Sequence, residues 1–184
     1  NYYEKFVIFL NDAKSNDRMP TDKEFEYALI NNPLYKKPIC KFVLSVIENS
    51  TKEHLDVSNL TIEHILPQKE NSAVWKEVGD NYSVVYEKYL HTLGNLTITG
   101  HNSELGTKPF NDKKKIIREN SKANVLNKEV LSATNWNEEA ILNRAKTLSN
   151  ILMDKFKYIE KHADVIETHE LSFGVNSGIN FSNT

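Results

Sequence analysis

Apolar and polar positions follow a helical period through the first sixty residues. Phe6, Val7, Phe9 and Leu10 cluster together, Thr21 with Glu24 makes a capping box leading into Phe25, Ala28 and Leu29, and Pro38 precedes Ile39, Phe42, Val43, Val46 and Ile47 at helical spacing. This predicts three helices forming an annex over residues 1–60, with breaks at Asn31-Asn32-Pro33 and Glu48-Asn49-Ser50. The period then changes. Residues 61–66 and 95–99 are short, β-branched and bounded by turn formers, which predicts two strands. Between them Trp75 and the spacing of Tyr82, Val85, Tyr86, Tyr89 and Leu90 predict an inserted helix, so no tight hairpin is expected. Gly100, Gly106 and Pro109 punctuate a loop before a helix from about Asp112 to Ala123. Farther on, Asn135 with Glu138 offers a capping signal, and Ile141, Leu142, Ala145, Leu148, Ile151, Leu152 and Phe156 mark one face of a long helix. The expected fold is α+β and mainly helical. A strand-insertion-strand-loop-helix core covers residues 61–125, a long helix over 126–160 packs on it, and 161–184 form a tail without an assigned role, although Val165 to Phe173 has strand character.

Composition narrows the class. With 184 residues the chain fits one domain or a domain with a helical annex, large enough to bury about 70% of its unfolded surface. No stretch approaches the roughly 20 apolar residues of a membrane span, and Asn1-Tyr2-Tyr3-Glu4-Lys5 lacks the zones of a signal peptide, so a cytoplasmic protein without membrane contact is expected. A start at Asn1 without a targeting signal is expected of a piece of a longer polypeptide. Cys40 is the sole cysteine, which excludes an internal disulfide framework and a Cys-rich zinc site. The formal net charge of −2 argues against wholesale electrostatic binding of nucleic acid. The distribution says more than the sum. Lys108, Lys113, Lys114, Lys115, Arg118, Lys122 and Lys128 face only Asp112 and Glu119 over residues 108–128. A charge run of this kind ordinarily marks a solvated helix face, but it also suits a phosphate backbone.

The candidate chemistry lies where the two strands meet the basic helix. Thr61-Ile62-Glu63-His64-Ile65-Leu66-Pro67-Gln68 is followed by Leu93-Gly94-Asn95-Leu96-Thr97 and then by Asn102, Phe110 and Lys113-Lys114-Lys115. Phosphodiester hydrolysis needs an activated water, a cation that neutralises charge on the phosphate, and a group that orients the base. An imidazole with a pKa of about 6.5 accepts a proton at cellular pH, which makes His64 the candidate base. Glu63 and Asn102 offer the hard oxygens that Mg²⁺ or Mn²⁺ prefers, with waters and phosphate oxygens completing the shell. Adjacent residues on a regular strand point to opposite faces, so Glu63 and His64 share a site only if the strand ends or bends there, and Pro67 favours an early end. Asn95 can orient His64 by bonding backbone or imidazole across the strand pair. Lys108, Lys113, Lys114 and Lys115 are the candidate phosphate contacts. Each piece has an ordinary alternative: a lone histidine satisfied in the core, Gly94-Asn95 as a turn pair, Asn102-Ser103 opening a turn, the tryptophans and tyrosines as core. Only the ordered combination points to hydrolysis.

That combination resembles the HNH, or ββα-metal, nuclease domain at the C-terminus of GmrSD-type modification-dependent restriction enzymes. Phe25, Ala28-Leu29, Tyr35, Ile47-Glu48, Trp75, Trp136, Ile141 and Arg144 also fall in the order of that family, so the resemblance covers roughly residues 3–156. It implies that His64 is the general base, Asn95 the middle polar residue, Asn102 the helix-borne metal ligand and Glu63 a second ligand, where many HNH enzymes have Asp. It implies an N-terminal ParB-like NTPase and sensor domain in the same polypeptide, and modified phage DNA, such as DNA with glucosylated hydroxymethylcytosine, as substrate. SspE-type defence proteins that sense phosphorothioate DNA use a similar domain to nick DNA. One HNH site cuts one strand, so double-strand cleavage implies a homodimer or a second encounter. The alternative function is a catalytically weak DNA-binding or partner-docking module, and a third is a nuclease acting on RNA.

Overall fold

The computed structural model describes residues 2–12 and 18–156, which form eight α-helices and one two-stranded sheet. Helix α1 (Tyr2–Asp12) falls in a separate compact unit from Lys23–Phe156. It buries Val7 and Ile8 and exposes Phe6 and Phe9. The expected annex over residues 1–60 is therefore divided between the two units.

Helix α2 (Asp22–Asn31) starts directly after Thr21, and α3 (Cys40–Glu48) follows the Pro38 signal. Strands β1 (Thr61–His64) and β2 (Leu96–Thr99) pair antiparallel, with Thr61 opposite Thr99 and His64 opposite Leu96. Helix α4 (Tyr82–Tyr89) is the inserted helix. It is followed by α5 (Asn102–Leu105), α6 (Phe110–Asn120), α7 (Asn124–Ser132) and α8 (Glu138–Lys155). No described helix is long and apolar enough to cross a membrane.

Two apolar clusters meet at the strand pair. Leu96 and Ile98 of β2 pack with Val43, Leu44 and Ile47 of α3 and with Leu148 and Leu152 of α8, and Ile62 lies against this group. Ile65 and Leu66, just past β1, join Trp75, Val85, Tyr89, Phe110, Trp136 and Ile141 in the other. Burying a side chain such as Leu44 or Trp136 in either cluster contributes on the order of 2 kcal/mol.

Three departures from the sequence expectation have visible causes. First, β1 ends at His64 instead of running to Leu66, because the Asn95 side chain takes both the N–H of Leu66, at 2.7 Å, and its C=O, at 2.9 Å. Second, the stretch 126–160 is not one helix. Trp136 is fully buried between α7 and α8, and its indole N–H donates to Asn95 Oδ1 at 3.0 Å, which holds the connection in place. Third, the cap of α8 is Asn137, whose Oδ1 accepts from Ala140 N at 3.0 Å, and not Asn135. The expected strand from Val165 to Phe173 and the tail 161–184 lie outside the described residues.

Two buried charges join these elements. Glu48, at the end of α3, accepts from the N–H groups of Asn124, Val125 and Leu126 at 2.7, 3.3 and 2.9 Å and so caps the start of α7, where a carboxylate also suits the helix dipole. Arg144 of α8 donates to the carbonyls of Leu93, Gly94, Leu96 and Leu126. Gly94 lets α8 pass this close: a Cβ there would fall 2.3 Å from the carbonyl oxygen of Ile141.

Candidate active site

Side chains alternate across β1, and the contacts follow the alternation. Thr61 and Glu63 face α5 and α6, whereas Ile62 and His64 face the side of α3 and the loop that carries Tyr35.

On the first face, Asn102 opens α5 and donates from Nδ2 to Thr61 Oγ1 at 2.9 Å and to the carbonyl of Ile62 at 3.1 Å. Its Oδ1 is buried without a hydrogen-bond partner. A buried polar atom left bare costs about 1–3 kcal/mol, so an oxygen held in that state by two bonds to its own amide nitrogen asks for a reason. Glu63 meets Lys113 of α6, with Oε1 and Nζ 2.6 Å apart, and the same ammonium donates to the carbonyl of His64 at 2.7 Å. Burial pushes the Glu63 carboxyl up and the Lys113 ammonium down, and their contact offsets part of both.

On the second face, His64 is 2% exposed. Its Nε2 lies 3.1 Å from Nδ1 of His91. The Tyr35 ring stands edge-on to His64 at 4.4 Å and stacks on His91 at 5.4 Å. Burial, then His91, then the charge of Lys113 push His64 down to about 3. The imidazole is therefore neutral around pH 7 and has a lone pair to offer.

The structure places the expected residues as follows. It brings Glu63, Asn102 and Lys113 to one face, and sets the His64 ring on the other. Asn95 does not touch the imidazole. Its Oδ1 accepts from Leu66 N and Trp136 Nε1, and its Nδ2 donates to the carbonyls of Leu66 and Leu90, so it fixes the turn that leaves His64. Lys108 and Lys115 are exposed, as a phosphate contact requires. Lys114 is half-buried, donates to the carbonyl of Ala133 and sits over the Phe110 ring at 5.4 Å. Lys113 is fully buried and does not face solvent at all. The helical period carried that signal, because Lys113 lies between Phe110 and Ile117 on the inward face of α6. Tyr35 and His91 were not expected at the site; the insertion carries His91 there, and Tyr35 comes from the loop between α2 and α3, whose N–H groups bond the His91 carbonyl.

A divalent cation fits what is present. Asn102 Oδ1 is an unpartnered hard oxygen on the same strand face as the Glu63 carboxylate. Among the described residues no three His, Cys, Asp or Glu side chains converge. A cation here would thus rest on these two oxygens together with water and phosphate.

A family model described as the C-terminal domain of GmrSD restriction endonucleases matches residues 19–151. That span holds both strands, the inserted helix and nearly all of α8. No curated protein matches the chain. No solved structure matches it.

Proposed function

We propose that this chain, which belongs to the C-terminal-domain family of GmrSD restriction endonucleases, is a metal-dependent HNH endonuclease domain that cuts DNA in a bacterial system directed at modified phage DNA. Family membership supports nuclease function in defence. One observation carries the finer reading: the bare, buried Oδ1 of Asn102 on the strand face that also carries the Glu63 carboxylate, a hard oxygen with no structural use.

In this reading Asn102 and Glu63 hold Mg²⁺ or Mn²⁺. The ion, when bound, neutralises charge on the scissile phosphate and on the leaving oxygen. Glu63 keeps Oε1 on Lys113, which steadies the carboxylate and leaves its second oxygen for the ion. His64, held neutral by burial, has the lone pair that taking the proton of the attacking water requires, and its ring lies on the other face of β1 from the two oxygens. Asn95 fixes the chain direction after His64. Lys108 and Lys115 contact backbone phosphates. An N-terminal NTPase and sensor domain would supply recognition of the modification, and cutting the second strand would need a second copy or a second encounter.

A second reading has its own support. The His64 ring and the Asn102 amide contact opposite sides of β1, an arrangement suited to a DNA-binding or docking module that does not cut.

Supercoiled plasmid incubated with the full chain, with and without Mn²⁺, separates the two. Nicked circle from wild type with Mn²⁺, and none from His64→Ala or Asn102→Ala, is the expected result. Equal cutting by wild type and His64→Ala overturns the assignment. Salt-sensitive retention of DNA without any cutting selects the second reading.

A further inference from the structure

We infer that His91 is the positioning residue for His64: its Nδ1 accepts the Nε2–H of His64, fixing that tautomer and leaving the Nδ1 lone pair of His64 open to take a proton. The tautomer rests on geometry alone; its use in catalysis rests on the nuclease reading above.

Four observations converge. The two nitrogens are 3.1 Å apart, within hydrogen-bond reach, and one proton must lie between them. Among the described residues His64 Nδ1 has no partner, so the pair can be written two ways. If His91 were the donor, Nδ1 of His64 would carry a hydrogen that no described protein group is placed to receive. If His64 is the donor, Nδ1 carries a lone pair, which costs less to leave without a protein partner than an N–H does. His91 is half-buried, so its own Nε2–H has access to water. The backbone is locked as well. The carbonyl of His91 accepts from Leu34 N at 2.7 Å and from Tyr35 N at 3.2 Å, and Tyr35 in turn stacks on His91 and meets His64 edge-on. Both imidazoles are thus held in orientation from outside the strand pair. This gives His91 the orienting task that Asn95, occupied by Leu66, Leu90 and Trp136, does not perform.

Imidazole ¹⁵N spectra of the full chain at neutral pH, with His64 identified by its loss in His64→Ala, test the tautomer without reference to activity. The expected result is an Nε2–H form for His64 in wild type, a mixture or an inverted pattern in His91→Leu, and recovery in His91→Asn, whose amide oxygen stands near the place of Nδ1. In the plasmid assay His91→Leu should lower kcat about 10–100-fold with KM little changed, and His91→Asn should restore most of the rate. An Nδ1–H form in wild type, or unchanged His64 nitrogens in His91→Leu, overturns the inference. Full-rate cutting by His91→Leu where His64→Ala is dead overturns its catalytic half and leaves the nuclease reading standing. The expected spectra from a chain that cuts nothing uphold the tautomer and remove the nuclease reading.

Discussion

Two polar groupings adjoin the same short strand pair, and they differ in how completely they are satisfied. Around Arg144 and Asn95 nearly every donor and acceptor is used. The guanidinium makes five hydrogen bonds to four carbonyls. The Asn95 amide makes four more. Around Glu63, Asn102 and His64, by contrast, Asn102 Oδ1 is bare and His64 Nδ1 has no partner. A saturated network specifies a structure, because removing any member strands the others. An unsaturated one keeps valence for something that arrives later. Burial alone does not separate the two groupings; the count of unused atoms does.

The contrast is broken most directly at Arg144. Arg144→Met removes five hydrogen bonds to four carbonyls and should cost about 3–5 kcal/mol in urea unfolding. A loss under about 1 kcal/mol would remove the distinction. Lys113→Met comes next. It leaves the half-buried Glu63 carboxylate without its partner, at an expected cost of about 2–4 kcal/mol at pH 7. Burial already raises the Glu63 carboxyl, and without the ammonium it rises further. A raised carboxyl loses stability as pH increases through its titration range, so the deficit should shrink between pH 7 and pH 5.

His64 has a smaller, pH-linked effect of the opposite sign. Its folded value of about 3 lies below the ordinary 6.5, so the unfolded chain binds the extra proton between the two. The contribution is complete above about pH 6.5 and falls as the medium becomes acid. About 2 kcal/mol should be lost between pH 7 and pH 5 in wild type beyond what His64→Gln loses, read from urea midpoints. Asn102→Ala should move stability least, by under about 1 kcal/mol, since it removes two hydrogen bonds and one stranded oxygen together. The same change should abolish any rise of Tm with added Mn²⁺. A large loss of stability without a metal effect would place Asn102 with the saturated group.

Sequence patterning revealed the strands, the inserted helix, α3 and α8, because each follows a period that local side chains enforce. It missed where β1 stops and where α7 gives way to α8. Both are set by Asn95, which reaches Leu66 and Trp136 across 29 and 41 residues. No local pattern records such a reach. At the site, Glu63, His64 and Asn102 were legible as residue types in order, whereas the division of their side chains between two faces followed from alternation that only the strand's actual length settles. The inward placement of Lys113 was legible in the spacing Phe110, Lys113, Ile117. The pairing of His64 with His91 was not, since it spans 27 residues and a helix.

Lys113 gives the folded chain a counter-ion of its own. With an ammonium already balancing Glu63, the carboxylate needs no divalent ion to be accommodated in the fold, so on the proposed nuclease function metal supply would govern when the scissors close and not whether they are assembled.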